Sequence, residues 1–135
     1  MRSYLSVIII LITTLSMNAQ SNPSPTLPDT KWLLSKIHLD TVRQVDGKRA
    51  YMQLTTEKNR VSGNGSCNRF GGSYHLKGDS LSFDKLFSTK MYCPDLQQTE
   101  DHFLGLLHKV NRYTIKGNRL FLLRDNILFL EFIKE

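Results

Sequence analysis

The sequence lacks most of the patterns on which protein chemistry is built. Its 135 residues include two cysteines, four histidines and a single tryptophan. Two cysteines cannot close a structural zinc site, which takes four ligands, and no histidine stands at ligand spacing from either. His38, His75, His102 and His108 are dispersed; the last two are six positions apart, on different faces of any helix. There is no Gly-x-Ser-x-Gly elbow and no His-Glu-x-x-His pair. The Gly71-Gly72 pair leads to Ser73-Tyr74, whereas a P-loop needs Lys and then Ser or Thr. Carboxylates are present, but none sits in a motif that pairs it with a partner. These absences predict no metal, no cofactor and no catalytic residues, so the expected class is not an enzyme.

Long apolar runs are missing too. The longest begins at Val7 and reaches Leu15, behind Met1-Arg2 and ahead of Ala19. It is shorter than the roughly 18 residues a membrane span needs, and its basic start and small end describe a signal peptide, residues 1–19. No cysteine lies near the cut, so a lipid anchor is unavailable and membrane association is weak at most. The expected location is periplasmic or secreted. Residues 20–29 (QSNPSPTLPD) hold three of the four prolines and read as a flexible tether. Residues 30–135 then form one domain with a modest core.

Acidic residues are the minority: 12 Asp and Glu against 18 Lys and Arg, a formal charge of +6. The basic residues are scattered and do not interleave with aromatics as a nucleic-acid platform requires. A solvated basic surface is the reading, with no nucleic-acid partner.

What the chain does have is concentrated between Val61 and Cys93, where both cysteines and five of the eight glycines fall. Gly63, Gly65, Gly71 and Gly72 surround Cys67-Asn68-Arg69-Phe70. Glycine accepts positive φ, so this density predicts a sharp turn running into a bent or bulged strand, with Asn64 and Asn68 suited to the same backbone. In an exported chain an even cysteine pair reads first as a disulfide, Cys67–Cys93; the alternative is two buried thiols. A thiol redox enzyme would need a reactive thiolate at one of them.

Along the chain, Lys31–Leu39 reads as a strand with Trp32 as a core anchor, and Asp46-Gly47 as a hairpin turn before a strand at Ala50–Thr55. Two segments, Tyr74–Phe83 and Tyr113–Leu122, share the pattern Tyr-x-aliphatic-Lys-Gly-Asp/Asn-x-Leu. Each is a two-residue hairpin with Gly first, as a type II′ turn demands. Between them, Pro94-Asp95 suits a first helical turn, and Leu96, Phe103, Leu107 and Val110 form an apolar stripe at helical spacing. The closing strands, Arg119–Leu123 and Ile127–Ile133, are nearly continuous in apolar residues, which predicts that both faces are covered.

Ser62-Gly63, Gly65, Cys67-Asn68-Arg69-Phe70 and Gly72-x-Tyr74 resemble the signature of the META domain, the family of the HslJ heat-shock lipoproteins. Thr89-x-Met91-x-Cys93 resembles its second block, and Glu100 with Phe103 its helix. The resemblance implies an α+β fold in which a strongly curved antiparallel sheet wraps one α-helix. It implies a non-enzymatic protein linked to envelope stress, acting through an unknown envelope partner. Asn68, Arg69 and Phe70 are where a surface role would lie; their structural reading is Asn68 tying the turn, Arg69 pairing with a carboxylate and Phe70 in the core. A second reading is a binding module holding a hydrophobic ligand (a lipid, acyl or peptide tail) between helix and sheet; a large apolar cavity beside the helix would favour it.

Overall fold

The computed structural model describes residues 25–44 and 47–135. The expected signal peptide, the first half of the tether and Asp46 of the expected hairpin turn lie outside the described residues. Nine antiparallel strands run β1 (Lys31–Ile37), β2 (Asp40–Thr41), β3 (Tyr51–Thr55), β4 (Arg60–Asn64), β5 (Arg69–Lys77), β6 (Ser80–Ser88), β7 (Arg112–Lys116), β8 (Arg119–Arg124) and β9 (Ile127–Lys134). One helix, α1 (Gln97–Leu107), connects β6 to β7. Each strand pairs with the next along the sheet, except that β1 pairs with β2, β3 and β9. The β1–β9 ladder, from Trp32↔Lys134 to Ile37↔Leu130, curls the sheet until its end meets its beginning. The curved antiparallel sheet around one helix is therefore present, and it is curved far enough to close.

Closure is complete at every joint but one. β6 and β7 share a single paired position, Ser80↔Arg112. Two backbone bonds reinforce it, Leu81 N–H to Asn111 O at 3.2 Å and Tyr113 N–H to Asp79 O at 3.0 Å. The rest of β6 is turned away by a bulge, in which Gly71 faces Phe87 but Ser73 faces Asp84, with Lys85 at φ 53°. An extra residue on one strand bends it and strengthens its twist. β6 thus parts from β7 beyond Ser80.

The side chains on the concave face explain the closure. Trp32, Leu34, Met52, Leu54, Leu81, Leu120, Leu122, Leu130 and Phe132 are fully buried, and α1 inserts Phe103 and Leu107 among them. Phe103 meets Phe70 and Phe132 edge-on at 5.7 and 6.0 Å between ring centroids, the favoured geometry for aromatic pairs. Trp32 donates its indole N–H to Leu27 O at 3.1 Å, Asp29 N–H bonds Leu54 O, and Leu27 belongs to the core. The packed chain therefore reaches back into the segment expected to be tether, because Trp32 needs an acceptor for its buried N–H.

The expectation that both faces of the last two strands are covered is corrected. Leu120 and Leu122 are buried, but Phe121 and Leu123 are only half-buried and Ile127 is exposed. Cross-strand neighbours shield these outer residues; no second layer lies on them among the described residues. Glu131, between Leu130 and Phe132, is buried by ion pairs with Lys36 and Arg119. The helix also starts later than its composition implied. Pro94–Leu96 form a preceding turn, and Val110 is buried just past the helix end.

Both two-residue hairpins fold as read, with positive φ at Gly78 (60°) and Gly117 (59°) and pairing at Lys77↔Ser80 and Lys116↔Arg119. Asp79 of the first turn meets Arg112 at 2.6 Å across the weak joint. The hydrogen bond and charge of that guanidinium hold the Asp79 carboxyl below its ordinary 3.8. A depressed carboxylate favours the fold above the ordinary carboxylate range and loses that contribution as pH falls through its folded value. In an NMR titration Asp79 should give a midpoint under 3.8 that Arg112→Ala restores; a midpoint at 3.8 in the unaltered protein would show the pair absent in solution.

Candidate functional site: a buried carboxylate hub and the adjoining cleft

The turn from β4 to β5 carries the first motif block. Its strained residue is Ser66, at φ 94°, and not one of the four neighbouring glycines, which corrects the expectation of glycine-borne positive φ. Asn64 Oδ1 accepts from Ser66 N–H at 2.8 Å and Gly65 N–H bonds Asn68 O at 2.8 Å, which together hold the turn. The glycines serve close approach. A Cβ at Gly65 would lie 2.6 Å from the Glu100 carboxylate, and one at Gly63 would run into the Phe70 ring and the Tyr51 carbonyl. Gly71 leaves room for the Phe87 ring, and Gly72 sits opposite the bulge against Leu86.

Glu100 is the centre of the assembly, 2% exposed and on the same helical stripe as Phe103 and Leu107. Its Oε2 accepts from the backbone N–H groups of Cys67 (2.9 Å) and Asn68 (2.7 Å); its Oε1 accepts from Asn68 Nδ2 at 2.6 Å. No cation pairs with it among the described residues. Three N–H donors replace the water a buried carboxylate gives up.

Asn68 joins the two motif blocks. Its Nδ2 also donates to Met91 O at 2.9 Å, and its Oδ1 accepts from Thr89 Oγ1 and Met91 N–H, both at 2.8 Å. An amide side chain has two donors and two acceptor sites, and all four are used here. Cys67 and Cys93 are bridged, with Cα atoms 6.1 Å apart, and no free cysteine remains among the described residues. The disulfide fastens the same two segments a second time.

The remaining predicted residues divide. Phe70 is in the core, and Tyr74 is buried with its hydroxyl donating to Thr55 O at 3.1 Å. Burial, with Asp29 adding to it, raises the Tyr74 phenol above its ordinary value. Arg69 does not pair with a carboxylate. Its side chain is exposed and without an ion pair among the described residues, because it projects from the convex face while Phe70 points inward. Ser62 is exposed on β4. Met91 contributes its backbone, and its side chain is 60% exposed.

Two features are invisible in sequence order. His38 and His102 come within 5.6 Å between ring centroids, although no group of three or more His, Cys, Asp or Glu gathers at metal distance among the described residues. Second, a cleft of about 440 Å³ lies where β6 parts from α1. Phe70, Leu86 and Leu104 form its apolar floor, Gln97 and Glu100 its helix wall, and Lys90, Met91 and Tyr92 its rim. Phe87 (63%) and Tyr92 (76%) stand exposed beside it. No sequence signal singled out Phe87; it stands on β6 beyond the bulge, opposite Gly71.

This arrangement of helix, closed sheet and two stitched motif blocks can be set beside known proteins. The META domain model matches residues 25–135. The chain belongs to the META domain family. Among solved structures it resembles a Burkholderia xenovorans protein solved by NMR, at 27% identity and TM-score 0.66, over 100% of this chain and 99% of that one. A second protein, also solved by NMR, has the same fold at 23% identity and TM-score 0.63, over 79% of this chain and 91% of the other. A DUF4847 family protein from Bacteroides vulgatus has the same fold at 11% identity and TM-score 0.59, over 79% and 93%. No curated protein matches. Of the residues that resemble the META signature, Gly65 admits the Glu100 carboxylate, Asn68 links the two blocks and the Cys67–Cys93 bridge locks them.

Proposed function

We propose that this META domain is an exported, non-enzymatic binding protein of the bacterial envelope, tied to stress tolerance, which holds its partner in the cleft between β6 and α1. The observation that carries this reading is the exposure of Phe87, Met91 and Tyr92 together around one concavity. Contiguous exposed apolar surface beside a groove marks an interaction site far more often than scattered apolar residues do. The hub beside it supports a binding role over a catalytic one. Glu100 is occupied by three N–H donors and both sulfurs by each other, so the motif's acid and its thiols are engaged in holding the fold. A hydrophobic ligand deep between helix and sheet would have to displace Phe103 and Leu107, which are fully buried there.

Two measurements test this. The intact mass of the protein made with its natural leader should begin at Gln20, with no thiol labelling before reduction. A photo-crosslinking residue at Tyr92 should give a discrete adduct in cells that the same residue at Leu39, exposed elsewhere, does not give. Retention of the leader would replace the cleaved, freely exported form with one anchored by its leader, and identical adducts from both positions would remove the cleft.

A further inference from the structure

We infer that His38 and His102 form a binding site for one zinc ion, which clamps the β1–β2 turn to α1; the site stands apart from the cleft and does not depend on it. The turn and the helix bring the two rings together from distant parts of the chain, with centroids 5.6 Å apart and planes tilted by 49°. A zinc–nitrogen bond of about 2.0–2.1 Å puts the ion roughly 3.2 Å from the centre of an imidazole ring. Two such rings at a tetrahedral angle then stand about 5.2 Å apart, and at a right angle about 4.5 Å. The observed separation lies near the tetrahedral spacing that zinc prefers. It exceeds the right-angled spacing of adjacent ligands on a square-planar or octahedral ion.

His38 is the better prepared ligand. Its backbone turns at φ 53°, its N–H bonds Phe129 O at 2.7 Å, and its ring lies edge-on to Phe129 at 5.5 Å between centroids. Its Nδ1 lies 3.1 Å from Leu128 O. A carbonyl oxygen only accepts, so Nδ1 carries the proton and the neutral ring keeps the lone pair of Nε2 for a metal. A backbone carbonyl behind one ring nitrogen is the common support of a metal-binding histidine, because it fixes tautomer and orientation together. On α1, His102 is exposed, and neither of its ring nitrogens has a hydrogen-bond partner among the described residues. An exposed side chain can change rotamer and turn a nitrogen to the shared point.

Two imidazoles fill half of a tetrahedron. No third His, Cys, Asp or Glu stands at metal distance among the described residues, so water completes the shell and the ion stays exchangeable. The local charge suits a cation. Asp40 and Asp95 line one hollow with His102, and Arg43 is the one Lys or Arg lining it among the described residues. None of these three charged groups is in an ion pair among the described residues. Two carboxylates against one guanidinium leave a negative balance, which raises the local concentration of a divalent ion. Packing on Phe129 accounts for His38 alone; the second imidazole, on the exposed side of α1, brings a ligand to it.

The test titrates the untagged, disulfide-bonded, ¹⁵N-labelled mature protein with zinc and, separately, with magnesium, which takes oxygen ligands. Zinc should shift the imidazole nitrogens of His38 and His102 together to one saturation point, leaving His75 and His108 unmoved and His38 Nδ1 protonated. His102→Ala changes an exposed helix position, and His38→Asn keeps a residue that tolerates the left-handed backbone. Each should weaken zinc binding about a hundredfold, the range gained when a second ligand on one frame closes on the same ion. The thermal unfolding midpoint should climb with zinc concentration in the unaltered protein and in neither variant. Unchanged zinc affinity in His102→Ala, equal shifts at all four histidines, a matching response to magnesium or no saturable zinc shift would each overturn the site.

Discussion

Glu100→Gln is expected to cost about 2–4 kcal/mol of stability, the scale of a buried donor left facing a donor. Gln matches Glu in shape, so the change leaves packing intact while removing the charge and turning one acceptor into a donor. If the Gln oxygen takes the place that serves Cys67 and Asn68 N–H, its NH₂ faces Asn68 Nδ2. If Asn68 then flips to accept, its Nδ2 faces Met91 N–H, since Oδ1 now accepts there. The mismatch moves but does not vanish, because every site on Asn68 is already used. At about 4 °C per kcal/mol for a domain of this size, the midpoint of thermal unfolding should fall by roughly 8–16 °C. Gly65→Ala pushes on the same carboxylate from the other side and should cost about 1–3 kcal/mol, as overpacking does. Its cost should shrink in a Glu100→Ala background, where the opposing atoms are gone. A Glu100→Gln loss under about 1 kcal/mol by urea unfolding would mean the carboxylate is hydrated in solution.

Removing the disulfide, as Cys67→Ser with Cys93→Ser, is expected to cost about 3–4 kcal/mol, from the loop entropy returned to the unfolded chain. The bridge spans 26 residues. That loop contains β5, β6 and the Thr89–Met91 segment, so its release loosens the opening in the sheet more than the closed side. Amide exchange should accelerate first at Met91 and Cys67 and least at Leu34 and Phe132, which sit in the β1–β9 ladder. An unchanged unfolding midpoint would show that the hub alone positions these segments. Uniform acceleration across the sheet would show that the joint at β6 and β7 is not a separate weak point.

These two effects converge on one spot because the fold has one weak joint, and the motif residues are gathered beside it. A sheet that closes everywhere except between β6 and β7 needs something to hold β6 and α1 together. Glu100 reaches from α1 to the turn before β5, and Asn68 reaches from that turn to the segment after β6. The same opening creates the cleft, so the stabilising hub and the proposed binding cleft are neighbours for a structural reason.

Much of this was legible in the chain. The Gly78 and Gly117 hairpins are local, since a two-residue loop with Gly first fixes its own backbone. Trp32 as a core anchor, the alternation through Ala50–Thr55 and the stripe Leu96, Phe103, Leu107 pointed toward the core. Glu100 carried a signal as well, an acid placed on an apolar stripe, which marks a buried group in need of donors. The glycines around Cys67 were legible as constrained but not as to how. A missing Cβ serves positive φ or close approach equally, and only the position of Glu100 and Phe70 distinguishes them.

By itself, then, the sequence determined most of the strands, the tight hairpin turns, the presence of the helix and the family, and it marked Cys67 and Cys93 as a candidate pair, since each rests on short-range periodicity or on spaced residue types. The tertiary structure alone decided that β1 pairs with β9, that Asn68 bonds Met91, that Arg69 lacks a carboxylate and that β6 is left with an open edge. A period-two pattern states which face of a strand is buried and says nothing of which distant strand lies beside it. Partners, edges and clefts arise from that long-range pairing, which the energy of the whole closed sheet selects.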